Sequence, residues 1–285
     1  MSQRRIDAHQ HFWRYTPADY GWIDASMSRI RRDFLPADLQ REMAAFGVDG
    51  SILVQVRQSL EETRWMLDLA DTEPTIDGVI GWADLRAPRI ADDLRALSRH
   101  AKLIGLRHVV QDEPDGFLLQ PAFLDGIRAL GQFDLTYDIL IYERQLPEAI
   151  DFASRFPEQR FVLDHLGKPN IKRGAIEPWR QHLRTLAAMP NVWCKLSGIV
   201  TEADWATWRP DQIRPYLETA VECFGRDRVM IGSDWPVCTL AATYGQTMGL
   251  VTELVADWSA ADRDAVLGGT ANALWQLDRR RSPAI

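Results

Sequence analysis

Residues 213–236 read IRPYLETAVECFGRDRVMIGSDWP. Ile213, Leu217, Ala220 and Phe224 recur at the spacing of one helix face, and Gly225 follows as a stop signal. Arg228–Ser233 is then a short, nearly all-apolar run, the pattern of a strand covered on both faces. A helix feeding such a strand is the repeating unit of a parallel sheet.

The same alternation extends back to the start of the chain. Similar runs occupy Ile6–Phe12, Ser51–Val56, Gly78–Ala83, Ile104–Val110, Thr136–Ile141, Arg160–His165 and Asn191–Ser197. Helix signals separate them. Pro36 opens one helix, Leu35, Leu39, Met43 and Phe46 stripe it, and Gly47 closes it. Ser59 with Glu62 forms a capping-box pattern, and Pro178 precedes a stripe of Trp179, Leu183 and Leu186. Eight strands, with no Gly-rich phosphate turn after the first, point to an α/β fold of the (β/α)8 TIM-barrel type rather than a dinucleotide-binding sheet. A chain of 285 residues fits one such domain spanning 1–285.

Polar residues gather at the C-terminal ends of these runs. The first ends in His9-Gln10-His11, and the second contains Gln55 and Arg57. Trp82 and Asp84 follow the third, Arg107 and His108 lie on the fourth, and Asp138 on the fifth. The sixth ends in Asp164-His165 with Lys168 beyond, the seventh carries Lys195 and Ser197, and the eighth ends in Ser233-Asp234-Trp235-Pro236. In a barrel these ends converge on one mouth, where barrel enzymes hold their chemistry.

His9 and His11 stand two apart, so on a strand they share a face and suit either metal ligation or hydrogen bonding to an oxyanion. Asp234 is placed as a general base for water, the alternative being a helix N-cap. His165 is read as a site residue, the alternative being a hydrogen-bonded core histidine, and Lys168 as solvent-exposed more readily than functional. Arg107 and His108 face opposite ways, and an inward arginine needs an anionic or oxygen-rich partner. Trp13, Trp22, Trp82 and Trp235 fall near the mouth, where aromatic faces suit sugar C–H surfaces. Trp179 and Trp275 read as helix-face packing.

Composition excludes several classes. A net charge of −7, with no basic run longer than Arg279-Arg280-Arg281 in what reads as a loose tail, argues against a nucleic-acid partner. No apolar run approaches the roughly 20 residues of a membrane span. Three cysteines without a CxxC pair read as reduced thiols, and the start shows no signal-peptide core, so a cytoplasmic location is expected. Oligomeric state is left open.

Taken together, the stretches 6–13 (IDAHQHFW), 162–169 (VLDHLGKP) and 231–236 (IGSDWP) resemble the amidohydrolase-related family, amidohydrolase family 2, which includes sugar lactonases and pyrone-dicarboxylate lactonases. Residues 194–198 (CKLSG) and 269–273 (GTANA) fit as well, so the resemblance covers essentially the whole chain. It implies a TIM barrel and lactone hydrolysis, with the sugar-lactone branch the nearest. The metal-rich members of the superfamily carry Lys or Glu on the fourth strand and His on the fifth. Here Arg107, His108 and Asp138 stand there, which argues against a bridged two-metal centre. The resemblance leaves two states open. Either one divalent ion, zinc foremost, is held by His9, His11 and Asp234 with His165 nearby, or a metal-independent site polarises the carbonyl through imidazole and guanidinium groups.

The mechanism expected on that footing has Asp234 activating water and His9, His11 and His165 stabilising the oxyanion. Trp13, Gln55, Trp82, Arg107, His108, Asp138, Lys195 and Trp235 contact a small sugar lactone. Residues 15–32 form either a lid or an ordinary loop beneath the rim. Rival readings are a pyrone-dicarboxylate lactonase, a metal-dependent nonoxidative decarboxylase and a non-catalytic sugar-acid binding protein.

Overall fold

The structure, a computed structural model, describes residues 3–281. Eight parallel strands run in chain order: β1 Ile6–Gln10, β2 Gly50–Val54, β3 Ile76–Gly81, β4 Leu103–Val109, β5 Thr136–Leu140, β6 Phe161–Leu163, β7 Val192–Leu196 and β8 Val229–Ile231. Helices α1 Pro36–Phe46, α2 Leu60–Thr72, α3 Ile90–Leu97, α4 Pro121–Leu130, α5 Leu146–Ser154, α6 Trp179–Ala187, α7 Pro210–Phe224 and α8 Tyr244–Leu254 follow them in turn. The expected (β/α)8 barrel is the fold the chain adopts. Each expected strand is found, ending one or two residues earlier than the apolar run suggests.

The helix punctuation acts as the side chains dictate. Gly47 ends α1 in the left-handed conformation, φ 70°, which a Cβ would disfavour. Ser59 caps α2 by accepting from the backbone N–H groups of Glu61 and Glu62. Glu62 departs from the capping-box expectation: its carboxylate reaches past Ser59 to the N–H groups of Val56 and Arg57.

Two apolar layers hold the barrel. Outward strand residues pack under the helices in one large core. Ile6, Ala8, Ile52, Val54, Ile80, Val162 and Met230 fill the lower interior, where Ala271, Leu274, Trp275 and Leu277 close the bottom. Trp275 donates its indole N–H to Thr136 Oγ1 inside the barrel, so it is a plug and not helix-face packing. Arg279–Arg281 belong to the helix Leu277–Arg281, and Arg280 is anchored on the carbonyls of Ala101 and Leu103, which corrects the expectation of a loose tail.

One irregularity sets the site. Asp7 pairs with Ser51 but Gln10 pairs with Leu53, so β1 holds one extra residue in a bulge. Plain alternation from the inward Ile6 and Ala8 would send His9 and His11 outward. The bulge reverses that parity and turns both imidazoles into the barrel. The Asp7 carboxylate braces it, accepting from the N–H groups of His9 (3.2 Å) and Ser233 (2.8 Å).

The barrel closes beyond the end of β8, at a parallel bridge between Gln10 and Trp235. There the His11 N–H donates to Trp235 O (2.7 Å) and the Asp234 N–H donates to His9 O (2.8 Å).

Candidate active site

Three strand ends supply the centre. β1 delivers His9 and His11. After β6, the chain passes through left-handed backbone at His165 (φ 53°) and Leu166 (φ 57°), which turns His165 across the mouth. After β8, Asp234 takes φ 57°. Non-glycine residues in this region carry strain that the surroundings must hold. Gly198, φ 60°, buttresses His165 so closely that a Cβ there would lie 2.3 Å from its Nδ1.

The reactive atoms converge. His9 Nε2 lies 3.2 Å from His11 Nε2, and Asp234 Oδ1 lies 3.2 Å from His11 Nε2. Asp234 Oδ1 is also 3.7 Å from His9 Nε2 and 3.9 Å from His165 Nε2. The Asp234 carboxylate thus meets imidazoles; the short turn that follows is capped by Pro236 without a side-chain bond.

Each imidazole has a second partner. His11 Nδ1 donates to Val54 O at 2.7 Å, which turns Nε2 toward Asp234. His165 Nδ1 meets Ser197 Oγ at 2.9 Å, and His9 Nδ1 lies 3.4 Å from Asp164 Oδ1.

Beneath lies a layer of paired charges, all nearly or fully buried. Lys195 Nζ contacts Asp138 Oδ2 (2.5 Å), Asp164 Oδ1 (3.0 Å) and His9 Nδ1 (3.3 Å). Arg107 Nη1 reaches Asp164 Oδ2 (2.9 Å) and His9 Nε2 (3.2 Å), and Nη2 donates to Gln55 O. Gln55 in turn donates from Nε2 to Arg107 O (3.3 Å). The inward arginine therefore has an internal carboxylate partner.

Burial pulls the His9 imidazole well below its usual range, against the opposing pull of Asp164. Burial likewise lowers His165 to about 4. Burial alone would raise Asp234, but His165 and the hydrogen bond from His11 outweigh it and hold the carboxyl below its usual range. Asp164 is held low in the same way, with Lys195, His9 and Arg107 outweighing burial, whereas burial raises Asp138 to about 6 despite Lys195. Near neutral pH the upper group is thus an ionised carboxylate facing uncharged imidazoles at His9 and His165.

That donor set fits a metal ion. Tetrahedral zinc with bonds of ~2.0–2.1 Å spaces its ligand atoms at about 3.3 Å, close to the 3.2–3.9 Å separations here. His11 Nε2 and Asp234 Oδ1, 3.2 Å apart, need a proton or a cation between them. The outer hydrogen bonds of His11 and His165 are those that orient metal-bound histidines. His9, His11 and Asp234 form one potential ligand trio and His9, Asp164 and His165 another. The Arg107 contact with His9 Nε2 competes with an ion for the same lone pair.

A cavity of about 940 Å³ opens above, with His11, Arg107, His165 and Asp234 in its lining. Ala18, Asp19, Trp22 and Met27 form part of its wall, so residues 15–32 help to shape the mouth. Tyr20, Ile23 and Ile30 anchor that segment, and Asp19 pairs with Arg57 at 2.8 Å.

Of the residues expected to contact substrate, Arg107 alone lines this cavity among the described residues. Trp13 is buried with its indole N–H on Arg32 O, and Trp235 packs against Phe12 and Phe34. Trp82 donates to His108 Nδ1, and His108 stacks on Phe117 and meets Glu113, on the outer side of the sheet. Gln55, Asp138 and Lys195 lie below the cavity floor. Sequence reasoning passed over Asp164, although it stands beside His165, and over Tyr142, Glu202 and Trp205 in the wall.

The sequence pattern of the Amidohydrolase family matches residues 6–277. The chain belongs to the amidohydrolase family. It is 45% identical to an L-fucono-1,5-lactonase of Burkholderia multivorans over 97% of each chain. An L-fucono-1,5-lactonase of Burkholderia ambifaria is 38% identical over 96% of each. A crystal structure of a Burkholderia multivorans amidohydrolase with bound zinc superposes with a TM-score of 0.93, at 45% identity, covering 96% of this chain and 99% of that one. Among the described residues, no helix is long and apolar enough to cross a membrane.

Proposed function

We propose that this amidohydrolase is a lactonase that opens a sugar-acid lactone of the L-fucono-1,5-lactone class to the aldonic acid. One observation carries the reading: His11, His165 and Asp234 converge on the floor of a roomy cavity, in a chain 45% identical over nearly its full length to an enzyme of that activity. Val56, Leu140, Val237 and Leu240 give the wall apolar patches suited to the methyl group of a 6-deoxy sugar, between polar groups suited to its hydroxyls.

Asp234 is ionised and takes the proton of the attacking water as the new C–O bond forms. The tetrahedral oxyanion collapses, the ring C–O bond breaks, and the proton held by Asp234 passes to the leaving ring oxygen. Arg107 sits beside the floor as a fixed positive charge for the developing oxyanion. His9, His11 and Asp234, with His165 beside them, would hold a zinc ion, which when bound polarises the carbonyl and acidifies the water. Among the described residues of the cavity lining, no Ser or Cys with an adjacent base stands ready, so direct attack by water is the simpler course.

The test is hydrolysis of L-fucono-1,5-lactone followed with a pH indicator, beside γ-butyrolactone and a pyrone dicarboxylate. A strong preference for the sugar lactone supports the proposal. Equal rates on the unsubstituted ring, or preference for the dicarboxylate, would overturn it.

A further inference from the structure

The cavity wall carries a second polar feature away from the imidazoles. Beyond His165 and Leu166 the loop after β6 stays left-handed through Gly167 (φ 69°) and Lys168 (φ 49°), and Lys168 Nζ lies 5.3 Å from the centroid of the Tyr142 ring. The loop after β7 turns at Gly198 into the short helix Val200–Glu202. Thr201 Oγ1 donates to Gly198 O (2.8 Å) and the Trp205 indole N–H to Thr201 O (2.9 Å), which ties the loop to itself. Tyr142, Lys168, Glu202 and Trp205 line the same cavity as His165 and Asp234.

Glu202 and Lys168 are largely enclosed, with 18% and 16% of their side chains exposed. Their closest approach is 3.7 Å, longer than a hydrogen bond. Asp138 and Asp164, by contrast, have cations at 2.5–3.0 Å. An enclosed carboxylate loosely paired at a cavity wall keeps acceptor capacity for the O–H groups of a ligand, and the ammonium keeps donors for its oxygens.

We propose that Glu202 and Lys168, with Tyr142 and Trp205 beside them, form the subsite that recognises the ring hydroxyls of the lactone. Glu202 accepts from ring hydroxyls, Lys168 donates to a neighbouring ring oxygen, and the aromatic residues border the C–H surface. This rests on the reading of the protein as a sugar lactonase. It makes Glu202 a specificity residue, separate from the groups that activate water.

The experiment measures kcat/KM of the wild type and Glu202→Gln on L-fucono-1,5-lactone and on δ-valerolactone, which has the same ring size and no hydroxyls. A charged hydrogen bond to a substrate hydroxyl predicts a fall of roughly 10-fold or more on the sugar lactone, mostly in KM, and a change under about 2-fold on δ-valerolactone. Lys168→Met should show the same selective loss, and it carries the test if Glu202→Gln does not fold. An equal fall on both lactones, or an unchanged rate on the sugar lactone, overturns the subsite. A wild type that shows no preference for the sugar lactone overturns the functional reading itself, and the subsite with it.

Discussion

Two layers of polar groups sit one above the other inside the barrel, and they differ in how fully their charges are met. In the lower, Arg107 and Lys195 face Asp138 and Asp164, each cation against a carboxylate at 2.5–3.0 Å. In the upper, His9 Nε2, His11 Nε2 and the Asp234 carboxylate face one another, and the cations that reach this group, Arg107 and Lys195, both touch it at His9. Similar burial and similar residue types thus produce a charge-paired support below and a converging set of potential metal donors above. Buried charge alone does not mark a reactive site; the mismatch of donors and acceptors does.

That contrast can be broken from below. Lys195→Met should leave Asp138 and Asp164 short of a partner and cost roughly 3–5 kcal/mol in denaturant unfolding, the scale for halving a buried ion pair. Stability within about 1 kcal/mol of wild type would show that the lower layer is not held by its pairing.

From above, Asp234→Asn removes the carboxylate that faces His11 while keeping its shape. Turnover of the sugar lactone should fall at least ~100-fold with an unchanged thermal midpoint. A near-wild-type rate would reduce Asp234 to a structural partner of His11.

The outer partners of the imidazoles offer a finer probe. Ser197→Ala deletes the hydroxyl at His165 Nδ1 and should weaken zinc binding about 10–100-fold, read by chelator competition and elemental analysis. An unchanged affinity would place His165 outside the ligand set.

Glu62 supplies the smallest effect and a control, because it is buried with only backbone donors in direct contact. Burial raises its pKa to about 7 against 4.5. The folded state therefore holds this proton more tightly than the unfolded chain. Its contribution is fully present below about pH 4.5 and is lost as pH rises through about 7. The thermal midpoint of Glu62→Gln should accordingly decline less than that of wild type between about pH 5 and about pH 8. Parallel curves would show that Glu62 is ionised across that range.

The eight strands were legible because helices cover one face and the barrel interior the other, so each strand reads as an unbroken apolar run. The convergence of polar residues at the strand ends followed from parallel topology. What escaped was orientation. Spacing placed His9 and His11 on a common face, but only the bulge in β1 decides that it is the inner one. Trp13, Trp82 and Trp235 are close to the mouth in sequence, yet Trp13 and Trp235 pack behind the wall, where their rings bury more apolar area, and the half-buried Trp82 turns its indole N–H to His108. Glu202 and Trp205 lie in a loop without periodicity, and no local pattern signals that they line the cavity. Asp164 was hidden by its neighbour: with His165 taken as the strand-end group, alternation would have turned Asp164 away. Alternation from the inward Val162 in fact sends Asp164 into the barrel, and the left-handed turn swings His165 in beside it.

The seam between β1 and β8 has a consequence for biosynthesis. His9 O receives the N–H of Asp234, and the His11 N–H reaches Trp235 O, so the backbone that shuts the barrel also carries the reactive groups. Those groups lie more than two hundred positions apart in the chain. During translation the imidazoles emerge first, and the carboxylate that meets them follows more than two hundred positions later. A shortened product ending before β8 has no reactive centre to expose. The site therefore cannot assemble until β8 has joined β1, so closing the barrel and gathering these groups are one event.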